Sequence, residues 1–109
     1  MNTTNKRLYY LKAGVLKALA HPIRLAVVDE LRGGERCVCE IAEAVESERS
    51  NVSRHLAVMA NAGVLSSRKE GLMVYYRLRT PCVLDFLECV ERVLREQLEA
   101  NNTILEALG

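Results

Sequence analysis

The feature that most constrains this chain is a change of hydrophobic period after Gly63. Up to that glycine the apolar residues recur at helical spacing in four successive segments. Leu8, Leu11, Val15, Leu16 and Leu19 place an amphipathic helix over about 5–20. Pro22 suits a first helical turn, and Ile23–Leu31 supply a second helix that stops at Gly33-Gly34. Val38, Ile41, Ala42 and Val45 form a short third. After the polar run 46–50, Val52, Leu56, Met59 and Ala60 form a fourth, ended by Gly63 as a left-handed terminator. Then the period becomes two. Val64–Lys69 and Met73–Leu78 read as strands, joined by a hairpin signal at Glu70-Gly71. Thr80-Pro81 reads as the cap and first turn of a long last helix reaching about Ala100, with 101–109 left open.

Four helices, a β-hairpin and a helix, with a tight polar turn between the third and fourth helices, specify a mainly α winged helix-turn-helix of order α-α-α-α-β-β-α. At 109 residues the chain is expected to be one such domain, 1–109. Its last helix is apolar over a wide arc (Val83, Phe86, Leu87, Val90, Leu94), as needed to pack on its own domain and on a second copy, so a homodimer through terminal helices is expected.

Charge enters here because the total misleads. The chain carries 15 Lys and Arg against 14 Asp and Glu, a net +1 that by itself argues against nucleic acid. Divided along the chain, 1–48 is neutral. Residues 49–79 hold Arg49, Arg54, Arg68, Lys69, Arg77 and Arg79 against Glu70, a net +5; 80–109 are net −4. The basic share falls on the fourth helix and the hairpin, the two elements that a winged helix-turn-helix lays on double-stranded DNA. On the fourth helix, Arg49, Ser50, Asn51, Ser53 and Arg54 lie early and largely off the apolar stripe. Arg pairs with guanine, Asn with adenine, and Ser with bases or phosphates, so these are groove-reading side chains. Arg68 and Lys69, at the hairpin tip, are the expected phosphate contacts. His55, beside the buried stripe, reads as a hydrogen-bonded core residue.

Other classes drop out. No apolar run approaches the ~18–20 residues of a membrane span. The polar stretch Met1–Arg7 leads into no signal-peptide core, so a cytoplasmic protein is expected. There is no Gly-rich phosphate loop or obvious carboxylate pair, and His21 and His55 both sit in segments explained by the fold, so no enzyme and no required cofactor is expected. An interaction-only module would account for the wide apolar last helix but not for the basic third.

In a reducing compartment the four cysteines read as thiols. Cys37 and Cys39 flank Val38 at the start of the third helix. Two residues apart in a regular helix they face different ways, so converging on one soft ion requires the first turn to loosen or to be extended. Arg36 and the helix N-terminus are expected to favour thiolate. Two small buried hydrophobes are the alternative use. Cys82 and Cys89, seven apart on the last helix with Phe86 between them, are candidates for a further ligand, a redox or persulfide-sensing pair, or plain dimer core.

The segments Leu16–Leu25 (LKALAHPIRL), Glu35–Ile41 (ERCVCEI), Val52–Leu56 (VSRHL), Ala62–Leu65 (AGVL) and Val74–Leu78 (VYYRL) together resemble the ArsR/SmtB family of metal-responsive repressors, over about residues 8–100. The resemblance implies a homodimeric winged-helix repressor that leaves operator DNA when an inducer binds. It implies arsenite- or cadmium-type ligands at Cys37 and Cys39. At the entry to the fourth helix the family carries Ser where Glu48 stands, and here the serine is Ser47. The zinc sensors of the family use Asp, His and Glu on the last helix, which here has Asp85 and Glu88 but no His. Thiol chemistry favours As(III) or Sb(III), then Cd(II) or Pb(II), over zinc. A redox- or persulfide-responsive repressor of the same fold is the alternative.

Overall fold

A computed structural model describes residues 2–109. The elements are α1 (Thr3–Leu19), α2 (Pro22–Glu30), β1 (Arg36–Cys37), α3 (Val38–Ala44), α4 (Arg49–Asn61), β2 (Leu65–Glu70), β3 (Met73–Leu78) and α5 (Cys82–Leu108). This is a winged helix-turn-helix. β2 and β3 form the wing, and β1 adds on the far side of β3, so the antiparallel sheet runs β1-β3-β2.

Local chemistry sets the boundaries. Asn2 Oδ1 accepts the Asn5 N–H at 2.8 Å and starts α1. His21 does the same for α2, its Nδ1 accepting the Ile23 N–H at 3.0 Å ahead of Pro22. At the end of α4 the Val64 N–H reaches back to the Met59 carbonyl at 3.0 Å, a closure that needs the left-handed φ of +86° at Gly63.

Three sequence expectations are corrected. A third strand, β1, joins the wing. The hairpin loop is Gly71-Leu72 rather than Glu70-Gly71: Glu70 stays in the ladder opposite Met73, and Gly71 supplies φ +61°. Thr80 does not cap α5 through its side chain. Its carbonyl takes the Val83 N–H at 3.1 Å, while Pro81 holds the cap position without a side-chain bond. The stretch after Ala100, which the sequence leaves open, continues α5, which runs 27 residues to Leu108. Asn101 and Asn102 do not break it, and Thr103 Oγ1 donates to the Glu99 carbonyl at 3.0 Å within the helix.

The core forms where α2, α3, α4 and the base of the wing meet. Val27, Val28, Ile41, Val52, Leu56 and Met59 are fully buried, with Val64 and Leu65 closing it from the strand side. From α5 only Val83, Leu84 and Leu87 pack on this core, and no residue of that helix is buried. Leu8, Leu11 and Leu16 of α1, and Phe86, Leu94 and Leu98 of α5, are exposed.

Histidine joins α2 to α4. His55 Nδ1 accepts from Arg24 Nε at 3.1 Å, and its ring lies 4.3 Å from that of His21. Burial, then the charges of His21, Arg24 and Arg54, hold the His55 pKa below its usual 6.5. The unfolded chain therefore takes up the proton first, and the stability that neutral His55 contributes is present above pH 6.5 and lost as pH falls below it. Thermal melts should show Tm declining from pH 7.5 to pH 5.5, and His55→Gln should flatten that slope. An unchanged slope in the variant would assign the decline to other groups.

Candidate nucleic-acid interface and thiol site

The turn between α3 and α4 is tight. Glu46 adopts φ +53°, and the Ser47 N–H returns to the Ala42 carbonyl at 3.1 Å. α4 then buries Val52, Leu56 and Met59, which turns Arg49, Ser50, Ser53 and Arg54 outward and leaves Asn51 half-buried. The Asn51 amide is fixed at both ends: its Nδ2 donates to Ser47 Oγ at 2.9 Å, and its Oδ1 accepts from Arg54 at 3.0 Å. Ser47 thus orients the Asn51 side chain. Glu48 occupies the cap position of α4 with no side-chain bond to the backbone. The helix presents three exposed polar side chains and a pre-set Asn–Arg pair to anything lying along it.

The wing differs from the sequence reading in one respect. Arg68 is not at the tip: it stands opposite Tyr75, with its guanidinium 4.5 Å from the centre of that ring. Two of its nitrogens bond the Glu35 carboxylate at 2.8 and 2.6 Å, and a third bonds Glu70 at 2.8 Å. The hydrogen bond to Arg68 holds Glu35 below the ordinary carboxylate range, and the two carboxylates push Arg68 further up. Arg68 is thereby committed within the protein, a brace from the residue preceding β1 to the wing. Lys69, one residue nearer the tip, is exposed, as are Arg77 and Arg79. Glu35 and Tyr75 carry no signal in the sequence, since the brace spans 33 positions and depends on strand register.

Cys37 and Cys39 lie on either side of the junction between β1 and α3. Cys37 ends β1 and precedes α3 with extended dihedrals (φ −78°, ψ 159°), while Cys39 lies inside the first turn. Of the two expected routes, a loosened or an extended first turn, the backbone at Cys37 takes the extended one. The supposed activation by Arg36 is corrected. Arg36 pairs with Glu30 at 3.4 Å, and the Cys39 thiol together with burial pushes the Cys37 thiol up. Cys37 is 3% exposed, its N–H donating to Glu40 at 3.2 Å. Cys39 is half-buried and opens into a cleft of about 540 Å³ whose walls include Glu43, Glu46, Ser47, Glu48 and Arg49. Cys82 and Cys89 are exposed on α5 and do not join the pair: among the described residues no three Cys, His, Asp or Glu side chains gather in a metal-holding group. Nor, among the described residues, is any helix long and apolar enough to cross a membrane.

The same frame recurs in known proteins. Residues 21–67, from the cap of α2 to the first half of the wing, match the family model described as bacterial regulatory protein, arsR family. The HTH-type transcriptional regulator Rv0081 of Mycobacterium tuberculosis is 35% identical over 102 residues, covering 93% of this chain and 90% of that one. The solution structure of the homodimeric winged helix-turn-helix DNA-binding domain of Mb0332 from Mycobacterium bovis superposes with a TM-score of 0.79 at 33% identity, over 92% of this chain and 93% of that one. The arsenic resistance transcriptional regulator ArsR1 of Pseudomonas putida is 38% identical over 88 residues, 80% of this chain and 66% of its own. Sequence and fold agree across nearly the full chain, and the protein belongs to the arsR family of bacterial regulators, as a DNA-binding transcriptional repressor.

Proposed function

We propose that this repressor binds operator DNA as a homodimer and releases it when a thiophilic trivalent ion, arsenite or antimonite, takes the Cys37 and Cys39 thiolates. Cadmium and lead are the other ions that a thiol site would favour. One observation carries the reading: the thiol pair sits at the joint between the two DNA-facing elements. Cys37 pairs with Tyr75 in the wing and caps α3, and Cys39 faces the cleft formed with the start of α4. An ion that draws both sulfurs together therefore acts on wing and recognition helix at once. It releases DNA only if it binds the released arrangement more tightly than the DNA-bound one. The relative ArsR1, named for arsenic resistance, supports the choice of ion.

On DNA, α4 enters the major groove with Arg49, Ser50, Asn51, Ser53 and Arg54, and Lys69 reaches phosphate from the wing. Arg68 contacts phosphate only by leaving Glu35 and Glu70. Dimerisation follows from the surface. The chain exposes 8017 Å², against about 6,100 Å² for a compact monomer of this mass. Its radius of gyration is 17.5 Å, against about 13 Å for a compact chain of this length. A second copy covering α1 and α5 removes the excess and sets two recognition helices about one DNA turn apart. Such a regulator works where the DNA is, in the cytoplasm.

On a duplex selected for binding, arsenite should weaken the complex roughly 5–150-fold in a mobility-shift titration, the usual span of a coupling free energy. Cys37→Ser and Cys39→Ser should each retain binding and lose that response; a variant that still dissociates normally would show the ion binds elsewhere. Asn51→Ala should cost about 1–3 kcal/mol and relax the base preference at one position, whereas Lys69→Ala should weaken all sequences alike. Leu94→Glu with Leu98→Glu should give a monomer by sedimentation, with operator affinity falling in step. A dimer surviving both changes would place the interface off α5.

A further inference from the structure

We infer that Leu72, at the apex of the wing, enters the minor groove beside each half-site and makes the repressor select A·T pairs there. This rests on the placement of α4 in the major groove proposed above and adds a second reading element to it. Leu72 is 99% exposed, more than any other large apolar side chain among the described residues. The exposed apolar residues of α1 and α5 have a second copy to cover them, but Leu72 stands on neither helix. It stands in a two-residue hairpin loop whose first position, Gly71, takes the left-handed φ of +61° that such loops assign to glycine. The strands are paired as far as Glu70 and Met73, at the base of that loop, so Leu72 is held at the end of a closed ladder.

The charges behind the apex suit an approach to DNA. Glu70 alone would repel phosphate at the base of the loop, but Arg68 holds its carboxylate at 2.8 Å. Arg68 is also held by Glu35 and lies over Tyr75, so the wing's mid-strand arginine is not free to enter a groove. Lys69 and Arg77 are exposed on the same hairpin and keep it cationic. What the apex itself offers is an aliphatic side chain. The minor groove of B-DNA is about 6 Å wide, too narrow for a helix but wide enough for one such side chain. Both kinds of base pair carry acceptors on its floor, and only G·C adds a donor, the guanine 2-amino group. Leucine can neither bond that group nor share its space, whereas an A·T floor has no such obstruction. Apolar side chains, leucine among them, are used in this way by proteins that bind the minor groove.

Base analogues separate the grooves. A duplex selected for binding is prepared with the pairs just outside each half-site as A·T, inosine·C or G·C. The first two share a minor-groove face and differ in the major groove; only G·C carries the 2-amino group. In mobility-shift titrations the full chain should bind the A·T and inosine·C duplexes alike, and the G·C duplex roughly tenfold more weakly. Leu72→Ala should leave Tm unchanged, because the side chain touches nothing in the fold, and should bind all three duplexes at about the G·C level. Leu72→Met, which keeps the apolar bulk, should retain the preference, and Lys69→Ala should weaken all three equally without removing it. Inosine·C behaving like G·C would place the readout in the major groove and overturn the inference. So would a preference that survives Leu72→Ala, or equal binding of all three duplexes by the unaltered chain. In each of those cases the placement of α4 still stands if Asn51→Ala relaxes the base preference within the half-site, and fails separately if it does not.

Discussion

Everything that faces outward here is positioned by one apolar stripe, Val52, Leu56 and Met59 of α4, each with no solvent exposure. With Val27 and Val28 of α2, Ile41 of α3 and Leu65 at the root of the wing, those side chains fix the rotation of α4 about its own axis. Because helix faces are tied by a period of 3.6, that rotation also decides what points away from the core. Arg49, Ser53 and Arg54 are exposed because Val52 and Leu56 are not. Removing one of these side chains would cost cavity energy of about 2–5 kcal/mol. It would also free the helix to roll, and its outward chemistry would lose its aim before the fold was lost.

Elements governed by periodicity were legible from the sequence, and those governed by partners were not. The four leading helices, the two wing strands and Gly63 follow from apolar spacing and one left-handed backbone position. The two-residue strand Arg36–Cys37 has no period to read; it exists because Tyr75 and Tyr76 offer it an edge. The same strand puts Cys37 in an extended conformation, which apolar spacing along a helix does not specify. The outward set on α4 was readable as chemistry, but the Ser47–Asn51–Arg54 chain depends on the shape of a turn. Arg68 shows most plainly what a sequence hides. It displays a positive charge, but not that two carboxylates, one of them 33 positions away, already hold it.

Charge on the wing is therefore graded. In mid-strand, Arg68 is neutralised and stacked on Tyr75, stiffening the ladder at the cost of a free cation. Toward the tip, Lys69 is exposed. An anionic surface approaching the wing meets the lysine first, and recruits the arginine only by competing with Glu35, which also lies two residues from Cys37. The brace thus ties the segment leading into Cys37 to the wing.

The length of α5 bears on how the protein accumulates. A 27-residue helix without one buried position contributes little to the stability of a single copy, yet it holds much of the chain's apolar surface. When that surface is covered only by another copy, folding and association are linked by mass action, and the stability of the chain rises with its own concentration. Scarce chains would be the less stable ones and the more open to proteolysis. The abundance of such a repressor would then respond steeply to its rate of synthesis, before any inducer is considered.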